Sequence, residues 1–186
     1  IGLDNYRIYH PNYLLMEAII KDHWKDKQET PNDSKGNDIA DFTHNFAGRL
    51  SDIIIDDLSN GYNLGIEWWM RTPEGPLQRM TDLKSKGYKN VVHFVVTDKE
   101  TSKEACKIRA DIMNQHEHII RRVPDYFHDL AVSTLPESAE VIFEEGVRRN
   151  QTVDSFAITN RKGEAIWNQE SDKKLRETYE YFIENR

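Results

Sequence analysis

At 186 residues the chain has the length of one ordinary domain and can bury a substantial core. Hydrophobic residues make up 38% and charged residues 31%, and no run reaches the roughly 18 apolar residues of a membrane-spanning helix. A net charge of −7 leaves no dominant basic field for a nucleic acid, and the single cysteine, Cys106, excludes an internal disulfide framework and fits a reducing cytoplasm. The opening Ile1-Gly2-Leu3-Asp4 carries neither the basic start nor the apolar stretch of a signal peptide.

In chain order, residues 11–28 read as a helix with Leu14, Leu15, Ala18 and Ile19 on its apolar face. A polar loop follows over 29–37, around Pro31 and Gly36. From Asp38, the residues Ile39, Phe42, Phe46, Leu50, Ile53, Ile54 and Leu58 recur every three or four positions, which predicts a long helix with a buried stripe. Asn60-Gly61 is expected to end it through a left-handed glycine. Residues 62–67, Tyr62 to Glu67, read as a short buried strand, and 73–86 as a helix closed by Gly87. The run from Val91 to Val96 is a strand whose continuous β-branched character predicts burial on both faces. A helix is expected over 99–117, and Pro124 and Pro136 each start a shorter one. Residues 155–159 and 165–167 bracket a turn at Asn160-Arg161-Lys162-Gly163, and 171–184 is helical. Strands alternating with helices imply an α/β fold with three layers and a mainly parallel sheet, within one domain spanning 1–186.

Ligands in such sheets bind beyond the carboxyl ends of the strands. Asp4 and Arg7 follow the first apolar residues, Glu67 and Arg71 follow the second strand, and Arg109, Arg121 and Arg122 lie on or after the helix beyond Val96. Carboxylates that take a proton from a hydroxyl, with arginines that neutralise transferred charge, suit phosphoryl transfer. Each of these charges taken singly is as readily a solvated surface group.

The order of several short motifs resembles the zeta-toxin family. Asp4 is followed by His10-Pro11, and the run Asp41 to Arg49 leads into Gly61-Tyr62-Asn63-Leu64-Gly65-Ile66-Glu67. Arg71-Thr72-Pro73, then Lys86-Gly87-Tyr88, then Arg121-Arg122-Val123-Pro124 with His128-Asp129, complete the series over residues 1 to about 170. The resemblance implies a P-loop kinase-like fold and a cytoplasmic enzyme that phosphorylates UDP-N-acetylglucosamine with ATP and Mg2+, held inactive by an antitoxin. On that basis Asp4 would be the base, and Glu67, Arg71, Thr72 and Arg7 would bind the sugar nucleotide. Arg109, Arg121 and Arg122, in a lid over about 109–124, would reach the ATP phosphates, with Arg109 and Arg121 taking part in catalysis.

Two features depart from the family. No G-x-x-x-x-G-K-[ST] loop occurs among the 186 residues, although the family places that loop and its central strand just before the segment that starts here at Ile1. The chain is therefore expected to be truncated, the alternative being a degenerate, non-catalytic relative. The family's Glu-Gly-Thr is replaced by Glu67-Trp68-Trp69, where an indole could stack on a sugar or base, while at least one of the two is expected to pack in the core. A non-catalytic binding or scaffold protein and a kinase of another small molecule are the competing readings. His116-Glu117-His118 lacks the spacing of a zinc helix and reads as a solvated helix end, and Cys106 as a buried small hydrophobe. The pairs Asp56-Asp57 and Glu144-Glu145 read as carboxylates that meet water, and Arg148-Arg149 as favouring the negative pole of a helix.

Overall fold

A computed structural model describes residues 1–24, 38–116, 123, 125–171 and 173–184. The expected loop at 29–37 and the end of the first helix, 25–28, lie outside them. The chain divides into two compact units, one of Ile1–Trp68 with Lys103–His128 and the other of Trp69–Ser102 with Asp129–Arg186.

The first unit opens with a 3-10 helix, Leu3–Tyr9, followed by α1, Tyr13–Trp24, and α2, Asp38–Leu58. The His10-Pro11 pair builds the entry to α1: the backbone N–H of Asn12 donates to His10 Nδ1 at 3.1 Å, and that of Tyr13 to the His10 carbonyl at 2.9 Å. The His10 ring also meets Phe46 of α2 edge-on, with centroids 5.0 Å apart.

The apolar face expected for α1 is not the one that packs. Tyr13 and Glu17 are buried at 2% and 4% exposure, while Leu14, Leu15 and Ile19 stand out at 70%, 62% and 54%. The helix is apolar almost all round (Tyr-Leu-Leu-Met-Glu-Ala-Ile-Ile), so periodicity selects no face, and contact with α2 and the 3-10 helix does. In α2 the small side chains of Thr43 and Ala47 are fully buried together with Ile55, whereas Ile53 of the expected stripe is exposed. Gly61 does not close α2 with a left-handed backbone. Instead Ser59 Oγ donates to the Asp56 carbonyl at 2.8 Å, and the backbone N–H of Tyr62 returns to the Leu58 carbonyl at 3.2 Å. These bonds satisfy terminal carbonyls that the left-handed cap would otherwise have met.

Residues 62–67 form a single parallel bridge, Gly2 with Glu67, rather than a strand. Glu67 N–H donates to the Ile1 carbonyl at 2.9 Å, and the Ile1 amino group to the Gly65 carbonyl. The pairing stops there because the partner backbone turns into the 3-10 helix at Leu3.

The second unit holds the sheet. Helix α3, Glu74–Ser85, ends in a Schellman motif: Tyr88 N–H donates to Leu83 O at 3.1 Å and Gly87 N–H to Lys84 O at 2.9 Å, with Gly87 at φ +88°. Strand β1, Val91–Val96, pairs in parallel with β2, Ser155–Asn160, which pairs antiparallel with β3, Ala165–Asn168, in the order β1-β2-β3. Helix α4, Lys99–His116, follows β1 and continues into the first unit. Helix α5, Asp125–Val141, runs through Pro136 instead of restarting there, and passes into a π-helical segment, Ile142–Arg149. Pro136 is buried, as are Ser138 and Ala139 in the next turn, so packing offsets the missing hydrogen bond. The C-terminal α6 is Leu175–Glu184, shorter than expected because Trp167 Nε1 holds the Lys173 carbonyl at 2.8 Å and shapes the preceding turn.

The core of this unit is built on Phe94, Phe143, Phe156, Trp167 and Tyr179, whose rings meet at centroid distances of 4.9 to 6.3 Å. Strand β1 buries one face only. Val92, Phe94 and Val96 are at most 4% exposed, while Val91 and Val95 are each 64% exposed. An unbroken apolar run carries no alternation, so it did not reveal that only one side is covered.

Candidate functional site

In the first unit the Gly2–Glu67 bridge brings two of the candidate segments side by side. Because the pairing is parallel, Asp4 in the opening turn of the 3-10 helix and Glu67 both lie toward the carboxyl end of the paired segments. Glu67 is exposed. Arg7 faces α2 instead: its Nη1 donates to the buried Thr43 Oγ1 at 2.9 Å, which ties the 3-10 helix to α2. Arg109 is exposed on α4. Arg121 and Arg122 of the expected lid lie outside the described residues, as do Glu117 and His118.

In the second unit Arg71 is half-buried and Thr72 exposed, just before α3. The Arg71 carbonyl accepts a hydrogen bond from Ser138 Oγ of α5 at 2.8 Å. The preceding residue, Met70, has φ +40°, in the left-handed region that a long side chain seldom adopts. Neither neighbouring indole is in the core, against the expectation for at least one: Trp68 is 41% and Trp69 57% exposed. Sequence reading missed this because a tryptophan pair reads equally well as packing or as display. The unusual backbone beside it leaves no sequence signal, as glycine would have.

Other singled-out groups have structural partners. Asp129 of the His-Asp pair is bridged by Lys99 Nζ at 3.0 Å. Glu144 and Glu145 do not simply meet water, since they pair with Arg148 and Arg149 one turn on, at 2.8 and 2.5 Å. Cys106 is half-buried rather than buried.

The model of the zeta toxin family matches residues 1–172. The chain belongs to the zeta toxin family. It is 28% identical over 171 residues to Toxin zeta of Enterococcus hirae, covering 90% of this chain and 52% of that protein. Toxin zeta of Streptococcus pyogenes gives the same identity and coverage, and Toxin PezT of Streptococcus pneumoniae serotype 4 is 28% identical over 145 residues, or 76% and 51% of the two chains. The chain thus spans about half the length of the curated relatives it matches. A solved structure from the PezAT chromosomal toxin-antitoxin system of Streptococcus pneumoniae superposes with a TM-score of 0.72 at 22% identity, over 98% of this chain and 65% of that one. The fold is accordingly α/β and P-loop kinase-like, with a mixed sheet. No described helix of this zeta toxin family member is long and apolar enough to cross a membrane.

Proposed function

We propose that this chain is the substrate-binding part of a phosphotransferase of the zeta toxin type, acting on a hydroxyl of a sugar nucleotide such as UDP-N-acetylglucosamine. What supports this is the parallel bridge between Gly2 and Glu67, which runs the segment that leads into Asp4 alongside the one that ends in Glu67, in a chain whose family match runs from residue 1. Asp4 is the base that takes the proton of the attacking hydroxyl. Glu67, Arg71 and Thr72 orient the sugar nucleotide, with Arg7 supporting the Asp4 turn through its bond to Thr43. Arg109, Arg121 and Arg122 offset negative charge on the phosphates.

ATP would supply the transferred phosphoryl group, and magnesium its charge neutralisation. The residues present do not form that nucleotide site by themselves. No Gly-Lys-Ser/Thr sequence occurs among the 186 residues, and among the described residues no cluster of three carboxylate, histidine or cysteine groups could hold a cation. The reading therefore requires a phosphate loop from outside this segment. An antitoxin partner and a cytoplasmic site of action belong to the same reading, supported by the relation to a toxin-antitoxin system.

The test uses the protein with all the sequence of its reading frame, incubated with ATP, magnesium and UDP-N-acetylglucosamine. ATP consumption that depends on the sugar nucleotide is expected, and Asp4→Ala should abolish it. Turnover unchanged in Asp4→Ala would remove the assigned base. The exposed Trp68 and Trp69 favour a second reading, a binding protein without catalysis. Calorimetry decides between the two, since that protein would bind no ATP even at full length.

A further inference from the structure

Asn60-Gly61 is the one Asn-Gly pair among the 186 residues, and it stands just past the end of α2 with both residues exposed. A side-chain amide that precedes glycine can be attacked by the next backbone nitrogen, because no Cβ crowds the approach. Here little holds the two groups back. Asn60 Nδ2 reaches the Asp56 and Asp57 carbonyls only at 3.5 and 3.4 Å, and Gly61 N reaches the Leu58 carbonyl at 3.3 Å. All three are longer than the roughly 2.7–3.2 Å of an ordinary N–H···O bond. No neighbouring atom lies within 4 Å of the place a Gly61 Cβ would take, so the turn has room to rearrange. Asn90 shows the opposite arrangement: it is buried, its Nδ2 bonds the Met80 and Thr152 carbonyls at 2.7 Å each, and a β-branched valine follows.

We propose that Asn60-Gly61 is a self-modification site, converted through a succinimide to aspartate and isoaspartate, and that conversion loosens the turn leading from α2 to Glu67. Solvent takes the Gly61 N–H proton, and the nitrogen attacks Asn60 Cγ. The Cγ–N bond forms, the Cγ–Nδ2 bond breaks, and Nδ2 leaves as ammonia. Water then opens the ring. Cleavage of the new Cγ–N bond gives aspartate, and cleavage at the original backbone carbonyl gives isoaspartate, whose main chain runs through Cγ. Either product replaces an amide donor with a carboxylate that can only accept, beside the carbonyls of Asp56 and Asp57 at the negative pole of α2. Isoaspartate also adds one main-chain carbon inside the ring closed by the Tyr62 N–H to Leu58 carbonyl bond, at 3.2 Å. The Tyr62–Glu67 run, which ends in the bridge to Gly2, then starts from a displaced point.

The protein with all the sequence of its reading frame tests this after incubation in warm, mildly alkaline buffer, folded and in denaturant. Peptide mass spectrometry should show a gain of about 1 Da at Asn60 in the folded protein, with isoaspartate detected by enzymatic methylation. Asn63 is equally exposed but precedes leucine, and should stay unmodified over the same time. Gly61 is not among the positive-φ glycines and has open space for a Cβ, so Gly61→Ala should fold. It is expected to slow conversion about tenfold or more, a barrier raised by about 1.4 kcal/mol. Asn60→Gln, which keeps the amide on a longer arm, should protect in the same way. Amide exchange over residues 61–67 should be faster in the converted protein than in Gly61→Ala aged beside it. Conversion confined to the denatured sample overturns the site, as does conversion that is equal at Asn63 or unchanged in both variants. Exchange over 61–67 that is the same before and after conversion overturns the loosening of the turn.

Discussion

Asp98 stands where β1 hands over to α4, and its Oδ1 accepts the backbone N–H of Thr101 at 2.8 Å, the geometry of a helix N-cap. That bond to the Thr101 amide holds the Asp98 carboxyl below its usual range. Asp98→Ala is expected to lower stability by about 1 kcal/mol in urea unfolding at neutral pH. Asp154 joins three segments: it pairs with Lys84 Nζ at 2.5 Å and accepts the Asn90 N–H at 2.8 Å, while Asn90 Nδ2 bonds the Met80 and Thr152 carbonyls, each at 2.7 Å. The Lys84 hydrogen bond, followed by the Asn90 amide, lowers the Asp154 pKa. Its contribution is therefore full above the unfolded carboxylate range and is lost as pH falls through the depressed folded value. Asp154→Asn should flatten the acid limb of stability against pH, and an acid limb identical to the parent's would show that Asp154 is not coupled to folding. Neither role was read from the sequence, because a lone aspartate beside a loop has no spacing that names its partner. Gly87 was legible because a left-handed cap needs a particular residue type.

At the level of elements, α1 offers the sharpest contrast between pattern and packing. Its exposed Leu14 and Leu15 should tolerate glutamine within about 0.5 kcal/mol, while Tyr13→Ala, at 2% exposure, should cost about 3 kcal/mol or more, both read by denaturant unfolding. The reverse order would restore the face expected from periodicity. The π-helical segment at 142–149 shows a second constraint. A Cβ on Gly146 would lie 2.8 Å from Val153 Cγ2 and 3.3 Å from Leu77 Cδ2, so Gly146→Ala forces the packing between that segment, α3 and the approach to β2 apart. A loss of about 1–3 kcal/mol is expected, and it should be less than additive with Val153→Ala, which removes the obstructing methyl. Additive effects would place the cost elsewhere. Existence and type of α2, α3, β1, α4 and the β2–β3 hairpin were all readable, because each has a long periodic run, a strong β-branched run or a turn with its own chemistry. The run at 62–67 was not, since a strand exists only as far as its partner stays extended.

For the molecule as a whole, the amino-acid order alone determined the α/β character, the family, and the identity of the charged residues that carry its motifs. Those are properties of local composition, spacing and succession along the chain, and the family match over 1–172 bears out the assignment. The tertiary structure decided which side of α1 and β1 is buried, that Arg7 bonds Thr43, that Glu67 pairs with the start of the chain, and that both indoles at Trp68-Trp69 face water. The physical reason is the same in each case. A side chain that is apolar, or that can bond either protein or water, satisfies several environments equally well. Only the surfaces that close around it, brought in from distant parts of the chain, select one.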